Sequence, residues 1–136
     1  MKRNSILVPV SVNQLDMAGK ALNEAREMLS EGGTITVLNS HEPIPGPARH
    51  YLDKGAIKDR DAEISNILRE FVGEDPRCKI ELVSGRAGVT IVEFARTHSV
   101  DCIIISSHRP DLSDYLLGST ASRVVRHAQC SVFVLR

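Results

Sequence analysis

The stretch DCIIISSHRPDLSDYLLGST, from Asp101 to Thr120, combines a strand-like run with two groups of polar residues. Its apolar run, from Cys102 to Ile105, stops at four polar residues, from Ser106 to Arg109. A strand can end there and expose backbone N–H groups, hydroxyls and a guanidinium. The stretch then closes on Gly118 to Thr120, where a helical pattern begins. Because a helix N-terminus with hydroxyl residues favours anions, the two polar groups together predict an anion site.

The same residues also have simpler structural interpretations. Ser119 and Thr120 could only cap a helix, as hydroxyl side chains commonly do. Arg109 could be an ordinary solvated residue. The choice between these interpretations depends on the topology in which the stretch is placed.

Hydrophobic patterns along the chain alternate between strand and helix. The run from Ile6 to Val10 lacks polar alternation, which is typical of a parallel strand buried on both faces, and Pro9 fits only near its end. Apolar residues then recur at three- and four-residue steps from Leu15, and the pair Gly32 and Gly33 is predicted to end that helix. The remaining predicted elements are a strand from Thr34 to Leu38, a helix on Ile57, Ile64, Ile67, Leu68 and Phe71, an edge-like strand at Ile80 and Leu82, a helix on Val89, Val92 and Ala95, a strand from Cys102 to Ile105, a helix on Ala121, Val124, Val125 and Ala128, and a strand from Ser131 to Leu135 that is apolar on both faces.

This strict alternation predicts an α/β fold, in which a single doubly wound, five-stranded parallel sheet carries helices on both faces. The 136 residues suffice for one domain, 1–136. Ligands of such folds lie beyond the carboxyl ends of the strands. The loops expected there begin at Pro9, Asn39, Ser84 and Ser106, so the predicted anion site lies at the correct edge. This placement favours the binding interpretation over simple capping. The Pro-rich segment from Asn39 to Asp53 is expected to be an irregular loop.

Composition excludes several classes of protein. Seventeen basic residues balance seventeen acidic ones, so there is no electrostatic footprint for nucleic acid or an anionic membrane. No apolar run approaches the roughly 20 residues of a membrane span. The three cysteines form no Cys-x-x-Cys pair, and the N-terminal apolar run is too short for a signal peptide. We therefore expect a cytoplasmic protein with structural thiols.

Several segments of the chain resemble the universal stress protein family. They run from Ile6 to Val10, from Ile103 to Arg109, from Leu116 to Ala128 and from Cys130 to Arg136. The Ser-His-Arg-Pro sequence at 107–110 resembles a subgroup of small bacterial members. The resemblance implies a Rossmann-like fold of the adenine nucleotide alpha hydrolase type. It also implies a homodimer formed through the edge strand from Val132 to Leu135. The alternative is that this strand is buried inside one sheet, and the strand order decides between the two.

Many members of this family bind ATP or AMP through a spaced glycine pattern, from which this chain departs. The pattern is Gly, two residues, Gly, nine residues, then Gly-Ser or Gly-Thr. Ser106 and Arg109 stand at the first two glycine positions, and only eight residues separate Arg109 from Gly118. Arg109 could fill the space that a glycine leaves open, or could pair with a phosphate. Ser11 replaces a common Asp near the ribose and metal, which weakens the case for Mg²⁺.

The resemblance implies an adenine nucleotide ligand, which is ATP, ADP or AMP, and assigns no metal ligand. The base would lie at the ends of the first two strands, and the third βα turn would close that side. The phosphates would meet the end of the fourth strand and the start of the last helix. The implied binding residues are Pro9, Val10, Ser11, Asn39, Ser40, Gly85, Val89, Ser106, His108, Arg109, Gly118, Ser119 and Thr120.

Three functions are compatible with these residues and with the family resemblance. The first is an adenine-nucleotide-binding regulatory protein of the stress response. The second is a nucleotide-free dimeric scaffold that binds an unknown protein partner, which the departures at Ser11, Ser106 and Arg109 keep open. The third is an enzyme, at most a slow ATP hydrolase or nucleotidyl transferase. No general base, metal cluster or nucleophile elbow is recognisable, and His108 is expected to be a loop hydrogen-bonder, so no catalytic residue is assigned.

Overall fold

Strands and helices alternate along the chain, for which a computed structural model describes residues 2–42, 46, 54–107 and 117–136. The strands are β1 (Arg3–Pro9), β2 (Leu29–His41), β3 (Cys78–Ser84), β4 (Cys102–Ser106) and β5 (Ser131–Leu135). The helices are α1 (Leu15–Met28), α2 (Lys54–Val72), α3 (Ala87–Thr97) and α4 (Ser119–His127). All strand pairs are parallel, in the order β3-β2-β1-β4-β5. The predicted α/β fold with a five-stranded parallel sheet is therefore confirmed.

The sheet separates two apolar cores because successive strand residues face opposite sides. Ile104 of β4 packs on one face with residues of α1 and α2, such as Leu22 and Leu68. Ile103 packs on the other face with residues of α3 and α4. Both isoleucines are fully buried. The central strands β1 and β4 are apolar on both faces for this reason.

The strand order decides the environment of the last strand. β5 lies at one edge of the sheet and β3 at the other, which confirms the edge position expected for the third strand. At the edge, β5 is not buried on both faces, and the side chain of Phe133 is 41% exposed. The alternative of a buried central position for β5 is therefore excluded.

The boundary between α1 and β2 differs from the prediction. α1 ends at Met28, and Leu29 already has extended backbone angles, with φ −74° and ψ 131°. Gly32 and Gly33 lie within β2, where the register against β1 shifts. A Cβ on Gly33 would come within 2.8 Å of the carbonyl oxygen of Asn4. The glycine pair therefore permits an irregularity between two strands and does not end the helix.

The predicted apolar faces of α3 and α4 are confirmed in part, because Ala95, Ala121 and Val124 are buried. Val89 and Val125, which were predicted to share these faces, are 38% and 46% exposed, and Ile91 is buried in α3 instead. The end of β2 also extends through Asn39 to His41, into the segment expected to be a loop. No helix within the described ranges is long and apolar enough to cross a membrane.

Asp75 joins three elements at the opposite end of the molecule from the carboxyl ends of the strands. It accepts a hydrogen bond from Nε of Arg26 in α1 at 3.1 Å and one from Arg77, next to β3, at 2.9 Å. Arg26 also donates to the carbonyl of Val72 at the end of α2, at 2.9 Å. The guanidinium of Arg77, assisted by that of Arg26, holds the pKa of the Asp75 carboxyl well below its usual range.

Unfolding measured at decreasing pH should reveal how much the Asp75 carboxylate contributes to the stability of the fold. Because the native pKa lies below the unfolded value of about 3.9, Asp75 stabilises the fold above that pH and loses this effect as the pH falls further. Asp75→Asn is expected to lower the free energy of unfolding at pH 7 by about 1–2 kcal/mol. It should also flatten the decline in stability below about pH 5. Urea unfolding at several pH values would measure both changes.

The neighbouring exposed carboxylate of Glu74 supplies the control, as Glu74→Gln. This variant should keep the wild-type stability at pH 7 and the wild-type acid dependence. An Asp75→Asn protein that loses stability in acid as steeply as the wild type would contradict the assigned role.

Candidate functional site

A cleft opens at the carboxyl edge of the sheet, where the strand order reverses between β1 and β4. The helix after β1 packs on one face of the sheet and the helix after β4 on the other. The central cleft between them has a volume of about 150 Å³. In open α/β sheets, a crevice at such a switch point is the usual ligand site.

The central cleft is mostly apolar, with polar groups from several elements. The apolar lining comes from Pro9, Val10, Met17, Ala18, Leu38, Ala87, Ile91 and Ile105, and the polar lining from Ser11, Gln14, Ser40, Ser106 and Thr120. Apolar walls with a few oriented polar groups suit a flat ring that carries a polar substituent.

Two further clefts adjoin the central one. The α3–α4 cleft, of about 490 Å³, is lined by Ser40, Glu42, Gly85, Arg86, Ala87, Gly88, Val89, Ser119, Thr120 and Arg123. The α2 cleft, of about 370 Å³, is lined by Ser11, Val12, Asn13, Asn39, Ser40, His41, Arg60, Glu63, Ile64 and Ile67. Ser40 lines all three clefts and therefore lies where they meet.

A chain of hydroxyl groups fixes this meeting point. The hydroxyl of Ser40 donates to the carbonyl of Gly85 at 3.0 Å, and the hydroxyl of Thr90 donates to Ser40 Oγ at 2.6 Å. Gly85 has a φ of 140°, and a Cβ there would lie 2.6 Å from Cγ2 of Thr90. Only glycine can therefore make the turn between β3 and α3 so close to β2.

Asn39 holds the segment that follows β1. Its Nδ2 donates to the carbonyl of Val10 at 2.9 Å, while the N–H of Val10 donates to Leu38 at 2.8 Å. Asn39 is 5% exposed, and its Oδ1 has no hydrogen-bond partner in the described part of the chain. The chain after Pro9 is thus fixed to β2 at the rim of the central cleft.

Two helices begin beside these clefts without side-chain caps. Gly118 is the N-cap of α4, and Ser119 and Thr120 begin its first turn. Arg86 is the N-cap of α3. Neither N-cap makes a side-chain cap bond, and neither first turn contains an acidic residue. The N–H groups and the positive ends of both helix dipoles are therefore available to an anion.

The structure brings most of the sequence-predicted site residues together. Pro9, Val10, Ser11, Ser40, Ser106 and Thr120 line the central cleft, while Gly85, Val89 and Ser119 line the adjoining α3–α4 cleft. Asn39 lines the α2 cleft instead, and Gly118 caps α4. His108 and Arg109 lie outside the described residues.

Several lining residues were not predicted from the sequence. Gln14 and Met17 belong to the start of α1, and Arg86 and Arg123 belong to different helices. Charged residues on helices usually indicate a solvated face. The only sequence signal for Arg123 is its place inside the long family-like segment, and none marks Arg86.

The described residues of these clefts include no metal-binding cluster and no cysteine. In the described ranges, no group of three His, Cys, Asp or Glu side chains could hold a metal ion. The cysteines Cys78, Cys102 and Cys130 are free and line none of the three clefts. Burial raises the pKa of each thiol, which keeps it in the neutral, unreactive form.

Comparisons by family model, by sequence and by structure all find universal stress proteins. Residues 2–136 match the model of the universal stress protein family. The chain is 31% identical over 142 residues to Universal stress protein G of Salmonella typhimurium, covering 97% of this chain and 98% of that protein. It is similar to the solved universal stress protein UspA from Lactobacillus plantarum, with 28% identity, a TM-score of 0.70, and coverage of 100% and 99%.

A universal stress protein from Archaeoglobus fulgidus, solved in complex with dAMP, shares the fold. That match has 21% identity, a TM-score of 0.60, and coverage of 100% of both chains. The sheet order, the switch-point cleft and the family match over nearly the whole length lead to one conclusion: the chain belongs to the universal stress protein family.

Proposed function

We propose that this chain binds an adenine nucleotide and acts as a regulatory protein of the stress response. The observation that carries the proposal is the central cleft, an apolar slot at the switch point beside the uncapped N-terminus of α4. An apolar slot suits the faces of adenine, and a helix N-terminus suits phosphate. The dAMP complex of the Archaeoglobus fulgidus relative supports a nucleotide of the AMP type.

In the proposed arrangement, the base lies beside Pro9, Val10 and Ser40, whose hydroxyl is held by the carbonyl of Gly85. The phosphates lie near Ser106 and the first turn of α4. Ser106 retains the backbone N–H that a glycine would offer and adds a hydroxyl. Asn39 supports the site from behind, through its hydrogen bond to Val10. His108 and Arg109 complete the phosphate site in this proposal.

The lining of the central cleft argues against a metal held by the protein. Its described lining residues include no carboxylate, and Ser11 lies where a family Asp would stand. Mg²⁺ prefers carboxylate and phosphate oxygens. We therefore propose that AMP, ADP or ATP binds without a Mg²⁺ ligand from this chain, and we assign no catalytic residue.

Thermal unfolding with added nucleotides tests the proposal. AMP or ADP at about 100 times its Kd should stabilise the fold by about 2.7 kcal/mol. For a domain of this size, such stabilisation raises Tm by about 8 °C. GMP is the matched control and should raise Tm much less. If no adenine nucleotide shifts Tm, the proposal is wrong and the nucleotide-free scaffold takes its place.

We also propose that the chain forms a homodimer through the strand segment from Val132 to Leu135. β5 pairs with β4 on one side, and in the described structure no strand covers its other side. An edge strand with an exposed phenylalanine favours pairing with another chain. Val125, on α4, is a second exposed apolar side chain. Such a dimer is compatible with nucleotide binding and with a nucleotide-free scaffold, so it does not distinguish the two functions.

Phe133→Asp is expected to convert the dimer into a monomer, because a carboxylate would be placed in the proposed apolar interface. Sedimentation velocity would measure the change in mass. Lys79→Asp, on the opposite edge strand β3, is the control and should leave the dimer intact. A Phe133→Asp protein that still sediments as a dimer would rule out this interface.

The location and the subgroup are further parts of the proposal. Three free cysteines suit the reducing cytoplasm. The sequence from Ser107 to Pro110 supports the small bacterial subgroup, although positions 108–110 lie outside the described residues.

A further inference from the structure

The α3–α4 cleft contains two arginines that have no assigned role. Arg86 is the N-cap of α3, and Arg123 lies in the second turn of α4. Both line the cleft and both are exposed. Neither guanidinium makes a hydrogen bond or an ion pair within the described part of the chain. Two cations from separate helices therefore line one cavity, and no described residue occupies their donors.

The position of Arg123 is determined by the packing of α3 against α4. A Cβ on Gly88 would lie 2.8 Å from Cδ of Arg123 and 3.1 Å from its Cβ. The aliphatic stem of Arg123 thus lies against the α3 backbone at a point that only glycine leaves open. This contact restricts the stem and directs the guanidinium to the cleft, so less conformational entropy is lost on binding.

The other lining groups also favour an anion. The uncapped N-termini of both helices open into the cleft, beside the hydroxyls of Ser119 and Thr120. Among the described lining residues, Glu42 is the only acidic one, against two arginines. The described lining therefore carries a net positive charge, to which the two helix dipoles add.

The α3–α4 cleft is continuous with the central cleft, because Ser40 and Thr120 line both. We propose that it is a second anion subsite, which receives the terminal phosphate of an adenine nucleotide seated in the central cleft. Arg86 and Arg123 bind that phosphate, so the protein prefers ADP to AMP. This inference rests on the proposed function. It adds the residues by which the protein distinguishes ADP from AMP.

Calorimetric titration of the full chain with AMP and with ADP tests the subsite. Arg123→Gln keeps the stem that packs on Gly88 and removes the charge, and Arg86→Gln removes the other charge. Each variant should bind ADP about tenfold more weakly, because a charge-assisted hydrogen bond is lost at an exposed site. Neither should change the affinity for AMP by more than about twofold. Arg126→Gln, one turn further along α4 and outside the cleft, should bind both nucleotides as the wild type does.

Gly88→Ala tests the same subsite without removing a charge. The new methyl group should displace the stem of Arg123 and weaken ADP binding about as much as Arg123→Gln does. It should cause no further loss when it is combined with Arg123→Gln.

The titrations distinguish a failure of the subsite from a failure of the proposed nucleotide binding. If AMP binds the wild type but Arg86→Gln and Arg123→Gln bind ADP with unchanged affinity, the subsite is overturned and the proposed function stands. If the wild type binds neither AMP nor ADP, both proposals are overturned. A selective loss of ADP affinity in the two variants supports the subsite.

Discussion

A Gly118→Val variant is expected to lose nucleotide binding while it remains folded. Gly118 is the buried N-cap of α4, and its φ of −62° and ψ of 162° are accessible to valine. A valine side chain there would occupy space beside the first-turn N–H groups that we propose bind phosphate. Since several charge-assisted hydrogen bonds would be lost together, the affinity for AMP and ADP should fall by at least about 100-fold.

The protein should remain folded in spite of this substitution. Valine is a worse N-cap than glycine by about 1 kcal/mol, and the added carbons at a buried position cost roughly a further 1–3 kcal/mol, which is less than the roughly 5–15 kcal/mol by which domains are typically stable. Calorimetry would measure the affinity, and circular dichroism would verify the fold. Gln129→Val, just beyond the other end of α4, is the matched control and should bind normally. If AMP still raises the Tm of Gly118→Val by the wild-type amount, the phosphate site has been placed wrongly.

The largest effect on stability is expected from Ile104→Ala, at the centre of β4. Ile104 is fully buried in the core that α1 and α2 form with the sheet. Removing the apolar groups of a buried isoleucine leaves a cavity that the neighbours fill only partly, which costs about 3–4 kcal/mol. Domains of this size are stable by about 5–15 kcal/mol, so the loss is a large fraction of the total.

Urea unfolding would show this loss as a lower midpoint with an unchanged slope. Val125→Ala, on α4 at a position that is 46% exposed, is the control and should cost less than about 1 kcal/mol. A cost for Ile104→Ala no larger than for this control would contradict the central place of β4 in the core.

The fold was predictable because its central strands leave an unambiguous pattern. Ile6 to Val8 and Ile103 to Ile105 are buried on both faces, as is typical of the strands of a parallel sheet that helices cover on both sides. The junction of α1 with β2 was not predictable. Leu29 continues the helical spacing, yet it is 6% exposed as the first residue of a strand. Periodicity cannot separate the two states when both bury the same side chain.

The site was predictable only where it lies at the ends of strands. Parallel strands bring their carboxyl ends together, so Pro9, Ser40 and Ser106 could be placed at one edge from their order in the chain. The arginines of the α3–α4 cleft could not, because their meeting depends on how closely α3 approaches α4. That distance is set by Gly88 and Arg123, which lie 35 positions apart in the sequence. The hydrogen bond from Asn39 to Val10 likewise becomes visible only in the folded chain.

The most direct test of nucleotide binding is to identify what the protein carries when it is purified without added nucleotide. The protein would be denatured and the released small molecules identified by chromatography and mass spectrometry. We expect an adenine nucleotide in near-stoichiometric amount, or, if it is lost during purification, calorimetric binding of added AMP or ADP at one site per chain. A protein that carries no nucleotide and binds none of AMP, ADP and ATP would contradict the proposed nucleotide binding and favour the dimeric scaffold.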